Sequence, residues 1–212
     1  MRFNTIFFDL DETLYPSSSG LWLAIRERIN LYLRDRMGFP PGQIEVLREQ
    51  FFRDYGTTLR GLQANYHVDM EDYLAFVHNV PLEKHLHSDD GMRKVIEALP
   101  ARKYIFTNAD SAHANRVLDI LGLKGIFDGI LDVHTIAPYC KPMPESFGLA
   151  LQSVGSPETG SCALLDDQAR VTAAARRLGF FSILVGKDSP GEDADAALMK
   201  WNDLPSLLDS RI

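Results

Sequence analysis

The chain has 212 residues, 45% of them hydrophobic and 24% charged, with a formal net charge of −7. This length suits one α/β domain carrying an insertion, or two small domains, and the composition is that of an ordinary globular protein. The acidic balance argues against a nucleic-acid polymer or an anionic membrane as partner, because phosphate backbones attract clustered Lys and Arg. A small phosphorylated molecule stays open, since one metal ion and one lysine can reverse a local field.

Taken in chain order, Thr5 to Phe8 form a short apolar run that stops at the acidic stretch Asp9–Thr13, the pattern of a strand buried on both faces. No leader peptide is expected here, since the run is short and Asp9 follows it directly. Residues 17 to 88 then contain no strand pattern. Trp22, Ile25, Ile29 and Leu33 make one helical stripe, ended by Gly38-Phe39-Pro40-Pro41-Gly42. Ile44, Leu47 and Phe51 begin a second helix, and Tyr73, Phe76 and Val77 suggest a third. Beyond residue 88 short apolar runs recur at Lys103–Thr107, Gly129–Val133, Ser161–Leu165 and Phe181–Val185. Helical spacing lies between most of them, at Met92–Leu99, His113–Leu121 and Ala173–Leu178. Alternation of this kind predicts a doubly wound parallel α/β sheet, interrupted after its first strand by a helical insertion. No apolar stretch approaches the ~20 residues that span a bilayer. Two cysteines, Cys140 and Cys162, are too few for a disulfide scaffold, and a reducing, cytoplasmic setting is expected.

Four short constellations carry chemistry. Asp9 and Asp11, two apart at a strand end, can face the crevice where open α/β sheets bind ligands, and crowded carboxylates invite a cation such as Mg²⁺. The same residues also suit a plain acidic turn. Thr107 and Asn108 follow another strand and can donate hydrogen bonds to a phosphoryl oxygen, or else Asn108, Asp110 or Ser111 merely caps a helix. Lys141, fixed by Pro142 ahead of a helix, can be a set positive charge, although an exposed lysine is the ordinary case. Asp166 and Asp167 form a second acidic pair that either completes a metal site or starts a helix. Their order, each near a strand end of one sheet, is more informative than any one of them.

With these residues in place the sequence resembles the haloacid dehalogenase-like (HAD) hydrolase superfamily over essentially its whole length. Asp9 and Asp11, Thr107, Lys141, and Asp166 with Asp167 match that superfamily's four motifs. The resemblance implies a Rossmann-like core over residues 1–16 and 89–212 with a helical cap over 17–88. It implies Asp9 as nucleophile, Asp11 as general acid and base, Thr107 holding phosphoryl oxygens, and Lys141 steadying Asp9. It also implies Mg²⁺ bound by Asp9, the Asp11 carbonyl, Asp167 and, directly or through water, Asp166. The stretch Tyr55-Gly56-Thr57-Thr58-Leu59-Arg60-Gly61-Leu62, with Phe7–Tyr15 and Pro81-Leu82, is similar to the pyrimidine 5′-nucleotidase branch. That likeness implies a nucleoside monophosphate of the UMP or CMP type as substrate, read by Tyr55 and Arg60 from the cap and by Asn108 and Lys141 below.

The sequence departs from the family pattern in two places. Gln168 and Val171 stand where many relatives carry Ser and then Asn or Asp, and Glu12 stands where many have Gly. Three other readings remain at this level. One is a haloacid dehalogenase, against which Asp11 and the second acidic pair argue. Another is a phosphosugar mutase or phosphoglycolate-type phosphatase with the same core. The last is a catalytically silent binding protein on the same fold.

Overall fold

A computed structural model describes residues 3–209. Six parallel strands form one sheet in the order β3-β2-β1-β4-β5-β6, where β1 is Thr5–Phe8, β2 Arg102–Phe106, β3 Gly129–Leu131, β4 Cys162–Asp166, β5 Phe181–Val185 and β6 Ala196–Leu198. This is a doubly wound sheet whose order reverses beside β1, so the crevice at its carboxyl edge opens where β1 and β4 end. Phe8 sits opposite Ile105 on one side and Leu165 on the other, which levels the ends of the three central strands. Side chains alternate across the sheet. Ile6 and Phe8 enter one core with Ile105, Leu165 and Ile183, while Phe7 enters the other with Phe106, Leu164 and Phe147.

Helices α1 (Leu21–Asp35), α2 (Pro41–Tyr55), α3 (Thr58–Tyr66) and α4 (Met70–Val77) lie between β1 and the rest of the sheet. Helices α5 (Asp90–Ala98), α6 (Ser111–Ile120), α7 (Pro144–Ser153), α8 (Ala169–Arg177) and α9 (Leu204–Asp209) alternate with or follow the strands. The expected strands appear with ends shifted by a residue or two. The edge strand β6 carries only two alanines and a leucine, too short to register as a period. Helix α3 was not expected from the sequence. In the fold Thr57 caps it by accepting the Arg60 N–H at 3.2 Å. Gly61 lies inside the helix because a Cβ there would come within 2.3 Å of the Phe51 ring, so α3 can press against α2 only with glycine at this point. In α1 the stripe splits: Ile25, Ile29 and Leu33 are buried, whereas Trp22 is 40% exposed. No helix among the described residues is long and apolar enough to cross a membrane.

Candidate active site

The sheet delivers the acidic and hydroxyl groups to one place. Asp9 is the first residue beyond β1, and its N–H still donates to the Leu165 carbonyl at 2.9 Å, so its backbone is pinned by the ladder while its side chain leaves the sheet. Thr107 stands in the same way beyond β2, its N–H donating to the Leu131 carbonyl at 3.0 Å. Asp166 closes β4 and Asp167 follows it. Lys141 comes from the loop between β3 and α7. The Asn108 side chain fixes its backbone, accepting the Lys141 N–H at 2.8 Å and donating to the Lys141 carbonyl at 3.1 Å.

Lys141 Nζ donates to Asp9 Oδ1 and to Asp166 Oδ2, each at 2.7 Å, and all three residues are buried. Burial alone would pull the ammonium down, but Asp166 and Asp9 hold it well above its ordinary range. Thr13 Oγ1 donates to Asp9 Oδ2 at 3.0 Å and accepts the Asp167 N–H at 3.1 Å, tying the first acidic loop to the second. Carboxylate oxygens of Asp9, Asp166 and Asp167 lie within 4.8 Å of one another. Fully ionised, three carboxylates against one ammonium would leave two uncompensated negative charges. Burial and the neighbouring Asp166 push Asp167 up to about 7. Asp9 is raised too, by burial first, with Lys141 opposing and both other carboxylates reinforcing. An oxygen-only donor set with this charge deficit fits a hard divalent cation of the Mg²⁺ kind.

Asp11 faces different company. Its Oδ1 accepts from Tyr15 Oη at 2.6 Å and meets His113 Nε2 at 2.9 Å. Burial would raise this carboxyl, but His113 and the two hydrogen bonds outweigh it and hold Asp11 below the usual carboxylate range. His113 stacks on His78 with ring centroids 4.2 Å apart, and His78 Nδ1 meets Asp110 Oδ2 at 2.5 Å. Asp110 also caps α6 through the His113 N–H. Glu12 has φ 61, in the left-handed region that glycine adopts at lower cost.

The strand-end residues form the floor of a cavity of about 480 Å³ whose roof comes from α1, α2, the start of α3 and α4. Asp9, Asp11, Thr107, Asn108, Lys141 and Asp167 line it, while Asp166 lies behind Lys141. The Thr107 hydroxyl accepts from the Ala109 N–H at 3.0 Å and keeps its own proton for a ligand. Tyr55 and Arg60 are not brought to the cavity. Tyr55 packs against Phe51. Arg60 is buried as a strut: it donates to the Tyr139 carbonyl at 2.8 and 3.2 Å, to the Val133 carbonyl at 2.9 Å and to Gln63 Oε1 at 2.8 Å. The cap arginines that do line the cavity are Arg26 and Arg48. Sequence reasoning also missed Thr13, Tyr15 and His113. The first two stood in plain view, each four residues after a motif aspartate, whereas His113 was counted only as part of a helical stripe.

The family profile described as haloacid dehalogenase-like hydrolase matches residues 3–179. Among curated proteins the chain is similar to Phosphate metabolism protein 8 of Saccharomyces cerevisiae, 29% identical over 97% of this chain and 73% of that protein. Several solved structures share the fold. One is the HAD-hydrolase YfnB of Bacillus subtilis bound to magnesium, with TM-score 0.66 and 18% identity over 99% of this chain and 100% of that one. Another is a beta-phosphoglucomutase of Clostridium difficile, with TM-score 0.61 and 20% identity over 95% and 93%. L-2-haloacid dehalogenase of Xanthobacter autotrophicus is similar at TM-score 0.58 and 16% identity over 99% and 100%. The profile match over most of the length, on a parallel sheet with the acidic pairs, threonine and lysine at its carboxyl edge, shows that this chain belongs to the haloacid dehalogenase-like hydrolases.

Proposed function

We propose that this protein is a Mg²⁺-dependent phosphomonoester hydrolase that works through an aspartyl-phosphate on Asp9, and that its substrate is a nucleoside 5′-monophosphate of the UMP or CMP type. The observation that carries the reading is the buried Asp9–Lys141–Asp166 contact beside Asp167, which leaves two negative charges at the floor of a ligand-sized cavity. A haloacid brings only one more carboxylate to such a site. A phosphate ester with a divalent cation fits it, because the cation offsets the deficit and the phosphoryl oxygens meet Lys141 and Thr107.

Asp9, the Asp11 carbonyl and Asp167 would hold Mg²⁺, with Asp166 acting directly or through water. Bound there, the cation would neutralise charge on the phosphoryl group and on Asp9. In the first half-reaction an Asp9 carboxylate oxygen forms a bond to phosphorus while the ester P–O bond breaks, and Asp11 gives its proton to the departing alkoxide. In the second, Asp11 takes a proton from water as that water attacks phosphorus, which frees Asp9 and inorganic phosphate. Lys141 keeps Asp9 oriented through both steps. Tyr15 and His113 favour ionised Asp11, so the arrangement seen is the one suited to the second half. Residues 1–16 and 89–212 serve as the catalytic core, and 17–88 as the cap that excludes water. Buried free thiols at Cys140 and Cys162 accord with a cytoplasmic site of action.

The test is phosphate release over a set of nucleoside monophosphates and sugar phosphates, with Mg²⁺ and with a chelator. Turnover of UMP or CMP that the chelator abolishes is expected. Chelator-insensitive turnover of a haloacid would sink the phosphatase reading, and turnover confined to sugar phosphates would sink the nucleotide reading alone. Asp9→Asn should lower turnover by about a thousandfold or more while keeping the thermal midpoint.

A further inference from the structure

We infer that Arg48 and Trp22, on the roof of the catalytic cavity, form the subsite that reads the nucleobase of the substrate. This rests on the nucleotide phosphatase reading and names the residues of the cap that give it specificity.

Arg48 is the odd member of the cap's partly or fully buried arginines. Arg60 has its donors engaged by carbonyls and an amide, and Arg28 donates through Nε and Nη2 to the Phe76 carbonyl at 3.0 and 2.9 Å. Arg48 is half-buried in α2, one turn beyond the buried Ile44, yet its Nε is fully covered and has no hydrogen-bond partner among the described residues. A covered, unpaired N–H is costly, and a guanidinium holds its donors in a fixed fork suited to planar acceptors. Arg48 itself lines the same cavity as Asp9 and Lys141, and no hydrogen bond engages its guanidinium among the described residues. A ligand acceptor reaching this fork would engage it.

The surroundings narrow what the acceptor belongs to. Arg26, Glu45 and Glu49 line the cavity with Arg48, so this end carries two cations and two carboxylates. A second phosphate or a carboxylate gains little from that balance. A neutral group with both carbonyl acceptors and N–H donors gains from both signs. Trp22 and Phe52 line the cavity as well, 40% and 44% exposed despite their size. Arg170 stacks on Phe52 at 3.6 Å, whereas Trp22 has no aromatic partner among the described residues. A part-exposed indole and an unengaged guanidinium lining one cavity suit a flat heteroaromatic ring with exocyclic carbonyls, which describes a pyrimidine base.

The experiment compares UMP with ribose 5-phosphate, which keeps the phosphoryl group and sugar but lacks the base, in the Mg²⁺-loaded wild type, Arg48→Met and Arg48→Lys. The wild type should favour UMP in kcat/KM. Arg48→Met should shrink that preference by about ten- to a hundredfold, chiefly through KM for UMP. Arg48→Lys should not restore it, because lysine has charge but no Nε and no fork. A second readout needs no turnover: in a Trp201→Phe background, uridine should quench Trp22 fluorescence, and less so with Arg48→Lys. A UMP preference that stays within about twofold in both Arg48 variants would overturn the inference while leaving the nucleotidase reading intact. A wild type that hydrolyses both esters with no preference would overturn the inference and base specificity together. Absence of phosphate release from either would overturn the phosphatase reading itself.

Discussion

At the scale of single residues, the candidate site divides into a strongly anionic half and a finely hydrogen-bonded half. Asp9, Asp166 and Asp167 crowd around one ammonium, whereas Asp11 sits apart between Tyr15 and His113. This separation gives two nearby carboxyls different proton affinities, which a group alternating between acid and base requires of its setting. Tyr15 stays a hydrogen-bond donor throughout, since burial and Asp11 push its own ionisation far up. Tyr15→Phe removes one of the bonds that hold the Asp11 carboxyl low. The limb of the kcat/KM profile governed by Asp11 should therefore move to higher pH, as read from a pH-rate series with buffers at constant ionic strength. An unmoved limb would separate Asp11 from that titration. Much of this half of the site lay beyond sequence reasoning. Asp9, Thr107 and the Asp166-Asp167 pair were legible because each follows an apolar run closely, and Lys141 because Pro142 fixes it ahead of a helix. His113 reaches Asp11 only because α6 turns it toward β1, and an apolar stripe is all that such a histidine shows in the sequence.

Among the elements, the insertion shares the hydrophobic core with the sheet, and several arginines tie it to the rest of the fold by gripping backbone carbonyls. Arg60 of α3 holds the Tyr139 and Val133 carbonyls, and Arg170 of α8 donates to the Gly56 carbonyl at 3.0 Å. Arg116 of α6 reaches back to the His78 and Val80 carbonyls at 3.0 and 2.9 Å. Gly56 belongs to the same junction: with φ +83 and a would-be Cβ 2.7 Å from Cys140 Sγ, it lets α2 end directly against the Lys141 loop. Arg60→Ala should accordingly destabilise the protein by about 2–3 kcal/mol, because it removes charged donors from buried carbonyls. It should lower activity on UMP and on a small aryl phosphate alike. A selective rise in KM for UMP would instead return Arg60 to the substrate. The sequence pattern marked Arg60 as a polar residue in an apolar, Gly-bounded stretch, which was informative. Which carbonyls it would meet depends on a loop 73 to 79 residues away, and no local pattern encodes that.

For the whole molecule, the doubly wound parallel sheet and helices α1, α2 and α4 followed from alternation of apolar runs and helical spacing, while the strand order, the short edge strand β6 and helix α3 did not. The excess of negative charge at the centre has a consequence for stability. Asp167 titrates at about 7 in the fold against an ordinary 3.8, so the metal-free folded state keeps a proton that the unfolded chain has lost between those values. This group's contribution is therefore favourable at low pH and declines as pH rises through that window. Mg²⁺ prefers the ionised site, so the increase in thermal midpoint that it produces should grow between about pH 5 and about pH 8. Asp167→Asn should abolish that growth. A Mg²⁺ effect independent of pH in the wild type would place the cation elsewhere.

The arginine clasps attach to an unusual set of points. Arg60 grips the loop that ends in Lys141, and Arg170 stands in the first turn of α8, three residues beyond Asp167 and next to the loop that carries the second acidic pair. Neither clasp is anchored on a strand. In the proposed reading, where the insertion is a lid, an outward swing would pull on the same two loops that carry Lys141 and the Asp166-Asp167 pair. Opening such a lid would loosen the catalytic groups, and shutting it would assemble them, so access and competence would be set by one movement and the nucleophile spared from bulk water without a separate device.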